Sequence, residues 1–91
     1  MNFEYDLNKS MINYEKHGVS LKEASVLWFG PNVTVAARTM DEIRYLIIGK
    51  INGKFYSCVY TKRGVDTVRL ISARRSRKSE ETIYYDNIKE K

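Results

Sequence analysis

The sequence predicts an α+β fold: an antiparallel sheet of three to five strands carrying an N-terminal helical hairpin and a C-terminal helix. Three observations carry that expectation. Helical spacing of apolar residues is confined to the two ends of the chain, around residues 7–28 and 77–89. Between them lie runs that alternate with period two, broken by the turn signals Asn52-Gly53 and Arg63-Gly64. The length, 91 residues, suits a single domain spanning 1–91, because folding at this size removes roughly 60–65% of the unfolded surface from water.

Asn2-Phe3-Glu4-Tyr5-Asp6 alternates apolar and polar residues, as a short half-buried strand does. Asp6 is placed to cap a helix running to about Lys16, its carboxylate accepting from the first free backbone N–H groups. Leu7, Met11 and Tyr14 give this helix an apolar stripe, and Gly18 ends it in the left-handed conformation. Ser20-Leu21-Lys22-Glu23 is a capping box, with Val19 and Ala24 in the staple positions. The second helix should run through Ala24, Leu27 and Trp28 until Gly30-Pro31 stops it.

Val33 and Val35 suggest a short strand. From Ile43 to Ile51, Ile43, Tyr45, Ile47 and Gly49 share one face, with Arg44, Leu46, Ile48 and Lys50 on the other. Apolar residues on both faces mark a strand covered on both sides. Asn52-Gly53 suits a type I′ hairpin turn, Phe55–Thr61 forms the return strand, and Asp66–Ala73 the last one, with Val68, Leu70 and Ser72 opposite Arg69 and Ile71. A helix from about Arg77 to Lys89 closes the chain on Ile83, Tyr84 and Ile88.

Composition excludes several function classes. One cysteine, Cys58, and one histidine, His17, rule out a disulfide framework and a Cys/His zinc site within the chain. The five glycines are too scattered for a dinucleotide fingerprint or a P-loop. Neither a membrane span nor a signal peptide is visible, so a cytoplasmic protein without membrane contact is expected.

Charge is concentrated towards the C-terminus. The net charge of +5 divides into −1 over residues 1–30, +2 over 31–60 and +4 over 61–91. Lys62, Arg63, Arg69, Arg74, Arg75, Arg77 and Lys78 face only Asp66 in their stretch. Such a surplus raises a strong positive potential when its side chains share a face, and polyanions are its natural partners. A solvated basic loop accounts for the same residues without a partner.

In Phe3-Glu4-Tyr5-Asp6, Lys9, Lys16-His17-Gly18-Val19-Ser20 and Glu23-Ala24 the chain resembles the BrnT family of bacterial ribonuclease toxins. Arg44, Ile48-Gly49, Val59-Tyr60-Thr61, Arg63, Val68-Arg69-Leu70-Ile71-Ser72-Ala73-Arg74, Glu80 and Tyr84 continue the resemblance in order over nearly the whole length. Tyr5 stands where the family usually has tryptophan. Arg77 replaces a threonine three residues before the glutamate, which leaves Ser76 or Ser79 to cap the last helix. The resemblance implies a RelE-like fold and metal-independent cleavage of RNA, without a cofactor, that inhibits translation. It also implies a BrnA-like ribbon-helix-helix antitoxin that joins the toxin in a hetero-oligomer and autoregulates the operon.

RNA cleavage without a metal proceeds by attack of a ribose 2′-OH on the neighbouring phosphorus. It needs a base, an acid and cations around the phosphorane. With one histidine available, either His17 works with a lysine, glutamate or tyrosine, or arginines and lysines act by electrostatics. The candidate catalytic residues are Arg74, His17, Lys16, Arg69 and Glu80; Arg44, Thr61, Arg63, Arg75, Arg77 and Lys78 are candidate RNA contacts. Each has a plainer role available. His17 and Lys16 can close a helix, Arg69 and Arg44 can sit in structural ion pairs, Thr61 can pack in its strand, and Glu80 can stabilise a helix start. A non-catalytic basic domain that binds nucleic acid or a partner is the alternative. Residues 61–78 contain no aromatic side chain for base stacking, which favours grip on the phosphate backbone.

Overall fold

The computed structural model describes residues 1–88, the side chain of Arg38 excepted. Strands β1 (Asn2–Glu4), β2 (Asn32–Arg38), β3 (Ile43–Ile51), β4 (Lys54–Lys62) and β5 (Thr67–Arg75) form one sheet in the order β1-β5-β4-β3-β2. The helices are α1 (Leu7–His17), α2 (Leu21–Ala24), continued by a 3-10 helix over Ser25–Phe29, and α3 (Lys78–Asn87). The expected end of the last helix at Lys89 lies outside the described residues.

Strands β2 to β5 form the expected antiparallel meander, whereas β1 pairs parallel to β5, so the sheet is mixed. The chain leaves β1 through α1 and returns to β5 after crossing the whole sheet, which sets the two strands in the same direction. Val33 and Val35 belong to a full edge strand of seven residues. At the β3–β4 turn Asn52 (φ 53°) and Gly53 (φ 78°) both adopt positive φ, as a type I′ turn requires.

The sheet is covered on both faces. On one, Val19, Leu21, Ala24 and Leu27 pack onto Ile47, Cys58, Tyr60, Val68, Leu70 and Ala73. Edge-to-face contacts link Phe3 to Trp28 (5.2 Å) and Trp28 to Tyr60 (4.9 Å), with Tyr60 stacked on Tyr45 (5.4 Å). At Gly49 an added Cβ would stand 3.1 Å from both Leu27 Cδ2 and the Pro31 carbonyl, so only glycine admits this approach without displacement. On the other face Tyr84 of α3 covers Ile48 and Phe55. Cys58 is buried in the first layer, and burial pushes its thiol pKa up to about 12.

The helical caps follow the sequence at three of four places. Asp6 accepts from the Lys9 N–H (3.1 Å), Gly18 closes α1 at φ 75°, and Ser20 and Glu23 satisfy each other's backbone donors. The fourth differs: Arg77, not Ser76 or Ser79, stands at the N-cap of α3, and the Glu80 carboxylate accepts its N–H (2.9 Å). Arginine has no acceptor, so Glu80 supplies the cap by itself. The second helix is also shorter than expected, a single α-turn that tightens into 3-10 geometry where Ser25 Oγ donates to the Lys22 carbonyl (2.7 Å).

The larger departure is α1. Its apolar stripe points outward, with Leu7 74%, Met11 65% and Tyr14 56% exposed, while Ser10 and Asn13 are buried. Ser10 Oγ accepts from the Leu21 N–H (3.0 Å). Asn13 donates to the carbonyls of Val19 (2.8 Å) and Ala73 (2.7 Å) and accepts from the Ala73 N–H (3.1 Å). Beyond β1, whose pairing ends at Arg69, the backbone of β5 has no strand neighbour on that side, and α1 seals the edge by hydrogen bonding. Asn13→Ala leaves three buried backbone groups unpaired. The expected loss is roughly 2–4 kcal/mol, read as a lowered urea midpoint at unchanged m-value.

Candidate functional site

Strict alternation would set Arg69 and Arg75 on one face of β5 and Arg74 on the other. Instead Val59 pairs with Ser72 and Tyr60 with Leu70, leaving Ile71 without a partner. This β-bulge shifts the phase by one, so Ala73, not Ser72, joins Val68 and Leu70 in the core. Arg74 thereby lands on the same face as Arg69, the face that α3 partly covers, and Arg75 turns to the opposite face over the Tyr56 ring (5.6 Å).

Arg74 and Glu80 meet in a two-pronged ion pair, Nη1 to Oε1 and Nη2 to Oε2, each 2.8 Å. Ser57, 1% exposed and opposite Arg74 in the ladder, donates to Glu80 Oε1 (2.8 Å). Its single hydrogen is thereby committed, so Ser76 Oγ donates to Ser57 Oγ across 2.7 Å. Burial alone would raise the Glu80 pKa. Bonds from the Arg74 guanidinium, the Arg77 N–H and the Ser57 hydroxyl overcome it and bring the group from 4.5 down to about 2. The same pairing raises the Arg74 pKa. Sequence reasoning selected Arg74 and Glu80 but missed Ser57 and Ser76. A serine between Phe55 and Val59 on a buried strand face was the available signal, since such a hydroxyl needs a partner.

Arg69 lies nearer the start of β5, where Nη1 donates to Glu4 Oε1 (3.2 Å); the Arg63 Nε stands 3.8 Å from the same oxygen. Thr61, paired with Arg69 in the ladder, is buried and its hydroxyl donates to the Ile43 carbonyl (3.0 Å). Arg44 shares a face with Leu46 and Ile48 by strand alternation and is held by Glu42 (2.8 Å). Their ladder partners Thr61 and Ser57 are four residues apart, so Arg69 and Arg74 line one side of β5 roughly 13 Å apart along the strand. Arg77 and Lys78 are exposed at the start of α3.

Lys16 and His17 are exposed at the C-terminal end of α1 and touch neither Arg74 nor Glu80 by hydrogen bond or ion pair. The Asn13 amide draws Val19 alongside Ala73, which directs this turn towards the Arg74 end of β5. Among the described residues no three His, Cys, Asp or Glu side chains gather as metal ligands, and no helix is long and apolar enough to cross a membrane.

Comparison with known proteins agrees with this architecture. Residues 5–80 match the family model described as "Ribonuclease toxin, BrnT, of type II toxin-antitoxin system". Among solved structures the fold is similar to the 1.1 Å crystal structure of the Brucella abortus ribonuclease toxin, BrnT. The TM-score is 0.67 at 23% identity, covering 86% of this chain and 99% of that one. No curated protein sequence matches.

The depressed Glu80 pKa sets a pH dependence. A carboxylate held below its unfolded value contributes stability above the unfolded pKa and loses it as pH falls through the folded one. The window here runs from 4.5 to about 2, and the contribution is at most about 3 kcal/mol. Wild type should therefore exceed Glu80→Gln in stability at pH 7, and the gap should close between pH 4.5 and 2 in urea titrations.

Proposed function

Because the chain belongs to the BrnT family of ribonuclease toxins of type II toxin–antitoxin systems, we propose that it is a metal-independent endoribonuclease. In this reading it cleaves RNA, inhibits translation, acts in the cytoplasm, and is neutralised by a BrnA-like antitoxin. The carrying observation is that Arg69 and Arg74, in different sequence phases, share one face of β5.

On this face RNA is gripped by its phosphates. The exposed pairs of Arg69 and Arg63 with Glu4 are weak, so a phosphate competes with Glu4 for these cations. Arg44, Arg77 and Lys78 extend the grip, while Thr61 keeps the strand ends in register; Arg75, on the opposite face over Tyr56, meets bases or phosphates only where the RNA passes the end of β5. The ribose 2′-OH attacks phosphorus, the 5′-oxygen leaves, and a 2′,3′-cyclic phosphate results. Arg74, locked by Glu80, stabilises charge on the phosphorane; a carboxylate with pKa about 2 and occupied oxygens is a poor proton acceptor, so Glu80 positions rather than acts as the base. His17 and Lys16 are the candidates for proton transfer. They approach the β5 edge from α1, and RNA bound there brings them to the reacting atoms.

The antitoxin covers the basic stretch 62–78 with carboxylates and, bound to the toxin, represses the shared operon. Charge complementarity of this kind accelerates association in a salt-sensitive way.

Purified protein is expected to cleave RNA in the presence of EDTA; activity that disappears with chelator and returns with magnesium would refute metal independence. Arg69→Ala should lower cleavage at least tenfold and reduce the salt slope of RNA binding by about 1, with an unchanged melting temperature. Arg74→Ala is a poorer probe, since it strips a buried carboxylate of its partner at a cost of roughly 3–5 kcal/mol. Arg74→Lys keeps a cation but loses the planar fork. It should fold and still lose cleavage at least tenfold.

A further inference from the structure

Helix α1 is joined to the domain by its polar side. Ser10 and Asn13 make the buried bonds to Leu21, Val19 and Ala73, and no α1 residue belongs to either hydrophobic core. Leu7, Met11 and Tyr14, one stripe at spacings of four and three, are left in solvent. An exposed apolar stripe on a surface helix marks an interaction site. Next to it lies a groove of about 400 Å³ lined by Ser10, Met11, Tyr14, Glu15, Ser20 and Glu23.

The charge of this groove identifies its occupant. In a chain of net charge +5 its only ionisable side chains apart from Tyr14 are two carboxylates. Glu15 has no ion pair among the described residues, and Glu23 is engaged only with the Ser20 backbone through one oxygen. A polyanion is repelled here, so the groove is not part of the RNA-gripping face. A second copy of the chain is disfavoured as well, because a two-fold interface sets the same patch on itself and would bring the carboxylates of two acidic grooves together without a cation between them. The complementary surface is a different protein, with apolar side chains for Met11 and Tyr14 and a lysine or arginine for the carboxylates.

We propose that the α1 stripe and its acidic groove are the hydrophobic anchor point of the antitoxin, which seats an amphipathic helical segment carrying a basic residue there. The inference rests on the reading of this chain as one half of a toxin–antitoxin pair. It adds a second contact, chemically opposite to the basic stretch 62–78. A charged face alone gives fast encounter, whereas a buried apolar cluster slows dissociation.

The test uses the full chain and the purified antitoxin of its own operon in calorimetric titration. Met11→Lys and Glu15→Lys are exposed changes and should melt like wild type. Each is expected to weaken the complex at least tenfold, and amide exchange over residues 7–17 should slow in the wild-type complex. RNA cleavage by the free variants should equal wild type. Wild type that binds the antitoxin but cleaves no RNA would refute the ribonuclease reading and leave the anchor standing. Affinities within twofold of wild type, or protection confined to 62–78, would overturn the anchor. So would a dimer of the free chain, seen by sedimentation, that Met11→Lys dissociates.

Discussion

At Ile71 the fifth strand carries one residue more than its partner, and the positions of all later side chains in that strand follow from it. The insertion turns Ala73 into the core, Arg74 towards α3 and Arg75 towards Tyr56. Arg74 then faces Ser57 across the ladder at the place where Glu80 enters from the first turn of α3. Without the bulge, the guanidinium would point into the layer occupied by Leu21 and Ala24, and Glu80 would be a buried carboxylate without a counter-charge, held only by the Ser57 hydroxyl and the Arg77 N–H. Helix α3 is therefore docked by an ion pair whose existence depends on strand phase.

A domain this small has little apolar surface to bury, and two polar devices close its periphery. Asn13 satisfies the Ala73 backbone and the Val19 carbonyl at one edge, and the Ser57–Glu80–Arg74 group anchors α3 across one face. Both leave the groups they bury paired; among the described residues no buried side-chain nitrogen or oxygen lacks a partner. Using polar contacts for attachment frees apolar side chains for other surfaces. That is why Leu7, Met11 and Tyr14 can stand outside.

The arginines fall into two energetic groups. Arg74 is held by a carboxylate only 6% exposed, in a pair that resists rearrangement because separating it strands a charge. Arg69 and Arg63 share Glu4 at the surface, where an ion pair is worth at most about 1 kcal/mol and yields readily to a competing anion. One face thus offers a rigid cation and two exchangeable ones. This combination suits a polyanion that must be gripped along its length and oriented at one phosphate.

Local chemistry was legible in the sequence. Asp6, Gly18 and the Ser20/Glu23 box set the helix ends because caps depend on neighbours within four residues. Asn52-Gly53 set the hairpin, and the alternation from Ile43 to Ile51 set both faces of β3. The ordered residues from Phe3 to Tyr84 also indicated the family. What the tertiary structure decided was anything requiring knowledge of a distant partner. An apolar stripe says that a surface seeks cover, not that the cover lies within the same chain, so the spacing of Leu7, Met11 and Tyr14 marked a stripe without telling which way it faces. Asn13 and Ser10 claimed the inner side because Ala73, 60 residues away from Asn13, offered unpaired backbone groups. Likewise nothing local marks Ile71 as an extra residue. Period-two reasoning assumes equal strands, and only the pairing of β5 with β4 determines which of two adjacent arginines meets Glu80.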